Sequence, residues 1–329
     1  MNNTENFHAN VSAISNATST QVPKTVAIFV VVLVTICLLA GTFDNARVCV
    51  LLRKRQDLRK VPHYLLANLA LTGALSSLIH APLLIVMTTV NYFQIRDLSV
   101  ADIFCRIGFP SGFFFIVLNA LTLWLMALDR QDCVLRPFKR RLTTRNLKKI
   151  IPVIWILALV TAILFVVAIR NEPACVKFYP YNSDLSELSN VVITLITVTG
   201  QLDNITILII IVTFIRIIKK MQSSPVNPSS SSTSQRQEKT LTIMTYKICG
   251  VFLLCRLPVK IYLLVSRKVG FEGTVAKSIY LIAVASIHLM YVANPFIHHK
   301  MLKVGAAAAR TAEPANRSRG QQQHNSAKS

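Results

Sequence analysis

The third long apolar run of the chain ends in an acid and a base that stand side by side, Asp129 and Arg130. An arginine at the edge of a hydrocarbon layer is costly unless a carboxylate pairs with it or its side chain reaches the membrane interface. Residue type alone favours the second interpretation, a snorkelling arginine. If a carboxylate pairs with the arginine instead, the arginine becomes part of a link between two helices and requires an acidic partner.

Two further cations, Arg256 and Lys260, lie four residues apart within another apolar run. This spacing puts them on one face of a helix. Cations inside a membrane need partners, and Asp203, in the middle of the preceding run, can neutralise Arg256 in an internal network. The sequence contains no evident nucleophile–base pair and no cluster of metal ligands, so we expect neither an enzyme nor a metal site.

Seven apolar runs must position these groups. Of 329 residues, 53% are hydrophobic and only 15% are charged, whereas a soluble domain has about 25% charged residues. A helix needs about 20 apolar residues to cross the hydrocarbon core, and it satisfies its own backbone hydrogen bonds there. We therefore predict an all-α membrane protein, a seven-transmembrane helix bundle with spans at about 26–52, 62–89, 102–131, 149–169, 190–217, 240–266 and 275–298.

The basic residues are segregated by loop. The formal net charge is +22, and Lys and Arg concentrate in segments 53–60, 130–149, 219–239 and 299–329. By the positive-inside rule these segments face the cytoplasm, which puts the N-terminus outside and the C-terminus inside. Basic loops also suit the anionic lipids of the inner leaflet. The charge therefore indicates membrane lipids rather than nucleic acid as partners.

The segments outside the bundle are polar. Residues 1–24 are predicted to be an extracellular tail with glycosylation sequons at Asn2, Asn10 and Asn16. The transmembrane domain covers 25–305, and we expect a short amphipathic helix after the seventh span. A disordered cytoplasmic tail, 306–329, follows. The Ser-rich stretch 222–237 is interpreted as a flexible cytoplasmic loop.

Several landmarks occur in a fixed order along these runs. They are Asn45 with Val48, Asn68-Leu69-Ala70, Asp129-Arg130 followed by Pro137, Trp155, Pro258 and Asn294-Pro295. With seven spans and an outer N-terminus, the chain resembles a divergent rhodopsin-like (class A) G-protein-coupled receptor over about residues 24–305, with no assignable subfamily. The resemblance implies a plasma-membrane receptor that transduces the binding of an unknown extracellular ligand to a heterotrimeric G protein, with arrestin and receptor kinases as further partners.

The resemblance also assigns a switch. Glu238 lies 20 residues before Pro258, where family members place the acid that pairs with the arginine of the third helix. Asp129, Arg130 and Glu238 would then hold the third and sixth helices together, and breaking the pair would open a crevice for the G protein. In this light the link is favoured over the snorkelling arginine.

Other residues receive structural roles from the same resemblance. Cys105 lies 25 residues before Arg130, the family spacing for the cysteine that bridges to the second outer loop, where Cys175 lies. The oxidising exterior allows this disulfide. Helix-packing roles fall to Asn45, Trp155, Pro258, Asn294 and Pro295. The Ser-rich loop is either a substrate for receptor kinases or a plain linker.

Several family residues are replaced. Gln131, Arg256 and His298 stand where the family has Tyr, Trp and Tyr, and the fifth helix has no proline in its middle. Gly73 stands in place of a buried Asp that helps to bind sodium, and Asn119 brings no carboxylate to that site. We therefore expect the sodium site to be lost. We expect G-protein coupling to be weak, unusual or constitutive.

The resemblance places a ligand pocket among the outer halves of the helices. Its predicted residues are Gly112, Phe113, Asp203, Arg256, Lys260 and His288. Gly112 replaces the Asp of amine receptors, which disfavours a monoamine ligand. His288 replaces the lysine that binds retinal in opsins, so we expect no retinal and no other cofactor. Arg256 and Lys260 either belong to the internal network or favour an anionic ligand, such as a carboxylate, a lipid acid or an acidic peptide end.

Two alternative functions stay open. The replaced residues favour a receptor-like protein with weak or no G-protein coupling, which acts as a decoy, a scaffold or an arrestin-linked protein. A transporter or channel would use the buried charges as a pathway, but the sequence has no internal repeat of the kind that transporters show.

Overall fold

The computed structural model describes residues 22–54, 60–93, 98–136, 140–170, 189–223, 233–269 and 273–297. These residues form seven helical spans, each long and apolar enough to cross a membrane. Spans 1 to 7 are, in order, Lys24–Lys54, Val61–Leu75 with Ser76–His80 and Ala81–Phe93, Leu98–Leu135, Thr144–Arg170, Asn190–Ser223, Thr233–Val269 and Thr274–Ile297. The predicted all-α seven-span bundle is confirmed, and this part of the chain contains no strand.

Spans 5 and 6 extend beyond their apolar runs. Span 5 continues to Ser223 and span 6 begins at Thr233, so the flexible loop predicted over 222–237 is wrong at both ends. The residues that begin span 6 include Gln, Arg and Glu, which form helices readily. A helix therefore continues past the end of its apolar stretch.

Some predicted features lie outside the described residues. They are the sequons at Asn2, Asn10 and Asn16, the short helix after span 7 and the tail 306–329. The orientation of the bundle in the membrane also stays a prediction.

Span 3 is the central helix of the bundle. It packs against spans 2, 4, 5 and 6, and the largest buried cluster joins it to its neighbours through Leu69, Leu123, Phe252 and Tyr291. By contrast, the outward faces of spans 4 and 5 carry many exposed Ile, Leu and Val side chains. Apolar surface of that extent is a liability in water and is the expected covering of helices in contact with lipid.

A buried polar network joins spans 2, 3 and 4. The Asn68 side chain donates to Thr122 Oγ1 at 2.8 Å, and Trp155 Nε1 donates to Asn68 Oδ1 at 2.9 Å. Association of helices in a membrane depends on such hydrogen bonds and on packing, since lipid is as apolar as the helix surface. The landmark residues Asn68 and Trp155 are thus joined by a direct hydrogen bond.

A second network centres on Tyr291 of span 7. The Asn45 side chain donates to the Tyr291 carbonyl at 2.7 Å, which ties span 1 to span 7. The Asn119 side chain donates to the Tyr291 hydroxyl at 2.8 Å and ties in span 3. Tyr291 is therefore the meeting point of three spans.

Span 2 contains one turn of π-helix, Ser76–His80. It ends two residues before Pro82, which has no N–H to give to the carbonyl four residues earlier and whose ring crowds that carbonyl. The widened turn accommodates the proline, and the Ala81 N–H bonds to the Ser76 carbonyl five residues back. Span 2 thus accommodates Pro82 through a π turn, which carries His80 at its end.

Trp155→Phe tests the network of spans 2, 3 and 4. The substitution removes the indole N–H and leaves the buried Asn68 oxygen without its donor, which costs about 1–3 kcal/mol. We expect the thermal midpoint of the purified protein in detergent to fall by several degrees. As a control, Thr161→Val on the same span removes an exposed hydroxyl that bonds only to its own helix; it should change stability by less than about 0.5 kcal/mol. Equal losses in the two variants would contradict the role of the network.

Candidate functional site

A buried ionic cluster lies at the Arg130 end of span 3. Arg130 Nε and Nη2 donate to Asp129 Oδ2, the first at 2.9 Å, and Nη1 donates to Glu238 Oε2 of span 6 at 3.0 Å. The Arg130 and Asp129 side chains are 1% and 3% exposed, and that of Glu238 is 29% exposed. The structure thus brings together the three residues predicted for the switch, which we call the ionic lock. A snorkelling Arg130 is wrong because its guanidinium is buried between two carboxylates.

Neighbouring groups extend the lock in a way that the sequence did not reveal. Cys133 Sγ donates to Glu238 Oε2 at 3.2 Å, and Arg140 Nη2 donates to Glu238 Oε1 at 3.4 Å. Beyond span 3, Arg141 Nη2 lies 2.7 Å from Asp132 Oδ1. The hydrogen bond to that carboxylate raises the pKa of the Arg141 guanidinium. In the sequence, Arg140 and Arg141 were visible only as members of a basic loop.

A cavity of about 500 Å³ lies between spans 2, 3, 5, 6 and 7. We call it the central cavity. Its lining includes all six residues predicted for the pocket, namely Gly112, Phe113, Asp203, Arg256, Lys260 and His288. Most of the remaining lining is aliphatic or aromatic. Gly112 lies 18 residues before Arg130 on span 3, so the cavity is about 27 Å from the ionic lock along the helix.

One carboxylate in the central cavity faces both of the cations that span 6 contributes to its lining. Lys260 Nζ lies 3.0 Å from Asp203 Oδ2, and Arg256 Nη2 lies 3.7 Å from Asp203 Oδ1. Lys260 also donates to the Gly200 carbonyl at 3.3 Å. The predicted network of Asp203 with Arg256 therefore exists, but Lys260 makes the shorter contact. We call Asp203, Arg256 and Lys260 the cation cluster.

His80 lines the central cavity although the sequence did not predict it there. Its ring stacks on His288, with centroids 5.4 Å apart and planes 14° apart, and its Nδ1 lies 3.1 Å from Ser111 Oγ. A Cβ atom at Gly112 would lie 2.9 Å from His80 Cε1. Glycine at this position therefore makes room for the imidazole. The one available signal was Pro82, which indicates a distortion of span 2 but not its direction.

The space beside Gly73 is occupied by a side chain of span 1. A Cβ atom at Gly73 would lie 3.0 Å from the Asn45 side chain, so the amide already fills the adjoining space. That amide donates to the Gly41 and Tyr291 carbonyls, and Asn119 donates to the Tyr291 hydroxyl. Gly73 brings no carboxylate to this place in the bundle. The loss of sodium regulation stays a prediction, as does the absence of retinal, although the imidazole of His288 cannot form a Schiff base.

The other predicted residues have structural positions. Pro258 lies inside span 6, Asn294 is buried next to Pro295 at the end of span 7, and Cys105 is buried and disulfide-bonded. Cys175 lies outside the described residues, so the pairing of these two cysteines stays a prediction.

The family is established by comparison with known proteins. The family described as "7 transmembrane receptor (rhodopsin family)" matches residues 44–298. The chain therefore belongs to the rhodopsin family of seven-transmembrane receptors. It is a multi-pass membrane protein of a receptor family typical of the plasma membrane, and this family is not a family of enzymes.

Individual relatives are distant. Probable G-protein coupled receptor 45 from human is 27% identical over 193 residues, which cover 57% of this chain and 50% of that protein; the mouse protein of the same name is 23% identical over 292 residues, 80% of this chain and 75% of its own length. The tachykinin-like peptides receptor 99D of Drosophila melanogaster is 21% identical over 246 residues, 69% of this chain and 45% of that receptor. The chain thus spans about half the length of the human and Drosophila relatives.

A solved structure supports the fold. The crystal structure of squid rhodopsin matches with a TM-score of 0.66 and 19% sequence identity, over 84% of this chain and 78% of that one. At this identity the match establishes a shared helical architecture.

Asp203→Asn tests the cation cluster. The variant keeps the size of the side chain but removes the carboxylate that faces Arg256 and Lys260. Breaking a buried ion pair by removing one partner costs about 3–5 kcal/mol, so we expect a large fall in the thermal midpoint measured in detergent. The double variant Asp203→Asn with Arg256→Gln leaves one cation fewer without a partner and should recover part of the loss. A single variant as stable as the parent would show that the cluster does not hold spans 5 and 6 together.

Proposed function

We propose that this chain is a receptor that transmits the binding of an extracellular ligand in the central cavity to a heterotrimeric G protein at the Arg130 end. The observation that carries the proposal is the continuity of span 6. It contributes Arg256 and Lys260 to the central cavity and Glu238 to the ionic lock. A ligand that changes the position of span 6 therefore acts on a contact of the lock.

Two features of the lock support its role as a switch. It is built from a few charge-assisted hydrogen bonds between spans 3 and 6, and the Glu238 side chain is partly exposed. Such a contact has two discrete arrangements, closed and open, and a ligand shifts the population by its difference in affinity for the two. A lock held shut by a wholly buried apolar interface would need far more energy to open.

The distribution of charge supports the orientation. Arg140 and Arg141 adjoin the lock. In the topology predicted from the sequence, spans 1 and 5 end on the same side of the membrane as the lock, and both ends carry basic residues, namely Arg53, Lys54, Lys219 and Lys220. By the positive-inside rule this end faces the cytoplasm, where the G protein would bind. Receptor kinases and arrestin are further partners in this proposal, with the Ser-rich segment between spans 5 and 6 as the phosphorylated region.

A receptor-like protein with weak coupling is the second candidate. Its support is the altered region between cavity and lock, where Gly73 meets Asn45 and Arg256 lies over the ring of Phe252, 5.7 Å from its centroid. In this candidate the lock is present but ligand binding does not open it, and the chain acts as a decoy, a scaffold or an arrestin-linked protein.

Glu238→Gln separates the two candidates. The substitution removes the charge that faces Arg130 and keeps the shape, at a cost to the closed state of about 1 kcal/mol for a partly exposed pair. If the chain couples to G proteins, basal guanine-nucleotide exchange on purified heterotrimers should rise up to about fivefold in reconstituted bilayers. We further propose that the Arg130 guanidinium, once released from Glu238, contacts the G protein in the open state. Arg130→Ala should then lower ligand-stimulated and basal exchange alike.

Lys239→Gln is the matched control. Lys239 is the exposed neighbour of Glu238 on span 6, so its substitution changes the surface charge without touching the lock. Glu238→Gln raises the net charge by one and Lys239→Gln lowers it by one, so an effect of surface charge alone would change exchange in opposite directions. An equal rise in both variants would assign the effect to a general disturbance of this part of span 6 and reject the lock. Exchange at the level of protein-free bilayers in every variant, with each class of G protein, would reject coupling and favour the second candidate.

A further inference from the structure

We propose that the central cavity binds an organic monocarboxylate with an apolar or aromatic body, and that Arg256 and Lys260 hold its carboxylate. The inference rests on the proposed function, whose ligand it defines by chemical class.

Charge balance in the central cavity favours an anion. The cavity is lined by two cations, Arg256 and Lys260, and by one carboxylate, Asp203. Among the described lining residues, one formal positive charge is therefore left without a counter-charge. A cation in a low-dielectric interior is costly unless it is paired, and an anionic ligand supplies the missing charge.

The geometry leaves hydrogen-bonding capacity for that anion. Asp203 lies 3.0 Å from Lys260 but 3.7 Å from Arg256, which is beyond hydrogen-bond distance. Arg256 is 5% exposed, and its Nε has no hydrogen-bond partner. A planar guanidinium with free donors matches a carboxylate with two parallel hydrogen bonds. His288, buried in the same lining, also has an unpartnered Nδ1, which offers a second polar contact to the ligand.

The count of charges selects a monoanion. One carboxylate makes the cation cluster and ligand neutral together. A phosphate monoester carries up to two negative charges and would leave a buried excess of negative charge. Carboxylates and phosphate monoesters share the same recognition by arginine, so charge rather than shape distinguishes them here.

The rest of the lining defines the body of the ligand. Phe109, Phe113, Tyr280 and Ile287 are among its apolar and aromatic members, and Phe113 is supported from behind by a stacked Phe165, with centroids 4.1 Å apart. A cavity of about 500 Å³ lies within the range of pockets that enclose small organic ligands. His80 fills the space beside Gly112, and the span 3 residues that line the cavity carry no charge. The carboxylate of the ligand therefore pairs with the cations of span 6.

The test uses the full chain in nanodiscs and a panel of aromatic, branched and linear monocarboxylates of six to twelve carbons. Each carboxylate is paired with the primary amide and the phosphate monoester of the same body. The readout is the thermal midpoint, which does not depend on G-protein activity. We expect members of the panel to raise the midpoint as carboxylates, with their amides and phosphates at least about tenfold weaker in apparent Kd.

Two variants locate the effect. Lys260→Gln and Arg256→Gln each leave one cation beside Asp203, so neither leaves a buried charge unpaired, and both should fold. Each should weaken carboxylate binding about tenfold or more, since a charge-assisted hydrogen bond is lost. Lys148→Gln, an exposed cation on span 4 far from the central cavity in sequence, should leave it unchanged.

The outcomes are decisive in either direction. Amides that stabilise as well as their carboxylates, phosphates that stabilise more, or carboxylate binding that persists unchanged in both variants would overturn the inference. A panel in which no carboxylate raises the midpoint at millimolar concentration would overturn it as well. Carboxylate binding that depends on Arg256 and Lys260 but changes no nucleotide exchange would uphold the inference and reject the coupling proposed for the same site.

Discussion

The carboxylate of Asp203 makes it possible for span 6 to carry two cations inside the bundle. Without it Arg256 and Lys260 would face each other's charge in a medium with little solvent to screen it. With it, span 5 and span 6 are joined by an ion pair at the level of the central cavity, while spans 3 and 6 are joined by another at the ionic lock. Span 6 is thus held electrostatically at two levels, at Glu238 near its start and at Arg256 and Lys260 past its middle.

The two attachments are separated by a region of unusual composition. Arg256 and Glu238 are 18 residues apart on span 6, about 27 Å of helix. Between and beside them lie Phe252, over which the Arg256 guanidinium rests, and Tyr291, which receives hydrogen bonds from spans 1 and 3. In the proposed function, span 6 would carry a displacement from the central cavity to the lock along its own length.

The helical fold followed from the sequence because the membrane restricts the choices. Hydrocarbon demands helices of a minimum length. The pairing of Glu238 with Arg130 came from the resemblance, which places an acid 20 residues before Pro258. The central cavity was harder. Its six predicted residues all line it, but the preference of Asp203 for Lys260 depends on side-chain distances that spacing cannot give. The amide of Asn45 beside Gly73 and the ring of His80 beside Gly112 were not foreseen, because each fills a space that only the packing of a neighbouring span reveals.

The π turn in span 2 has a consequence for the reading of related sequences. One additional residue in the turn rotates everything that follows it by about 100° relative to a regular helix. A relative that lacks the turn would present a different residue where His80 now lies, even if the two sequences align without a gap. If ligand contacts are transferred to such a relative by sequence alignment, residues after His80 are therefore matched one position off. Equivalent residues in Ala81–Phe93 must be taken from superposed backbones.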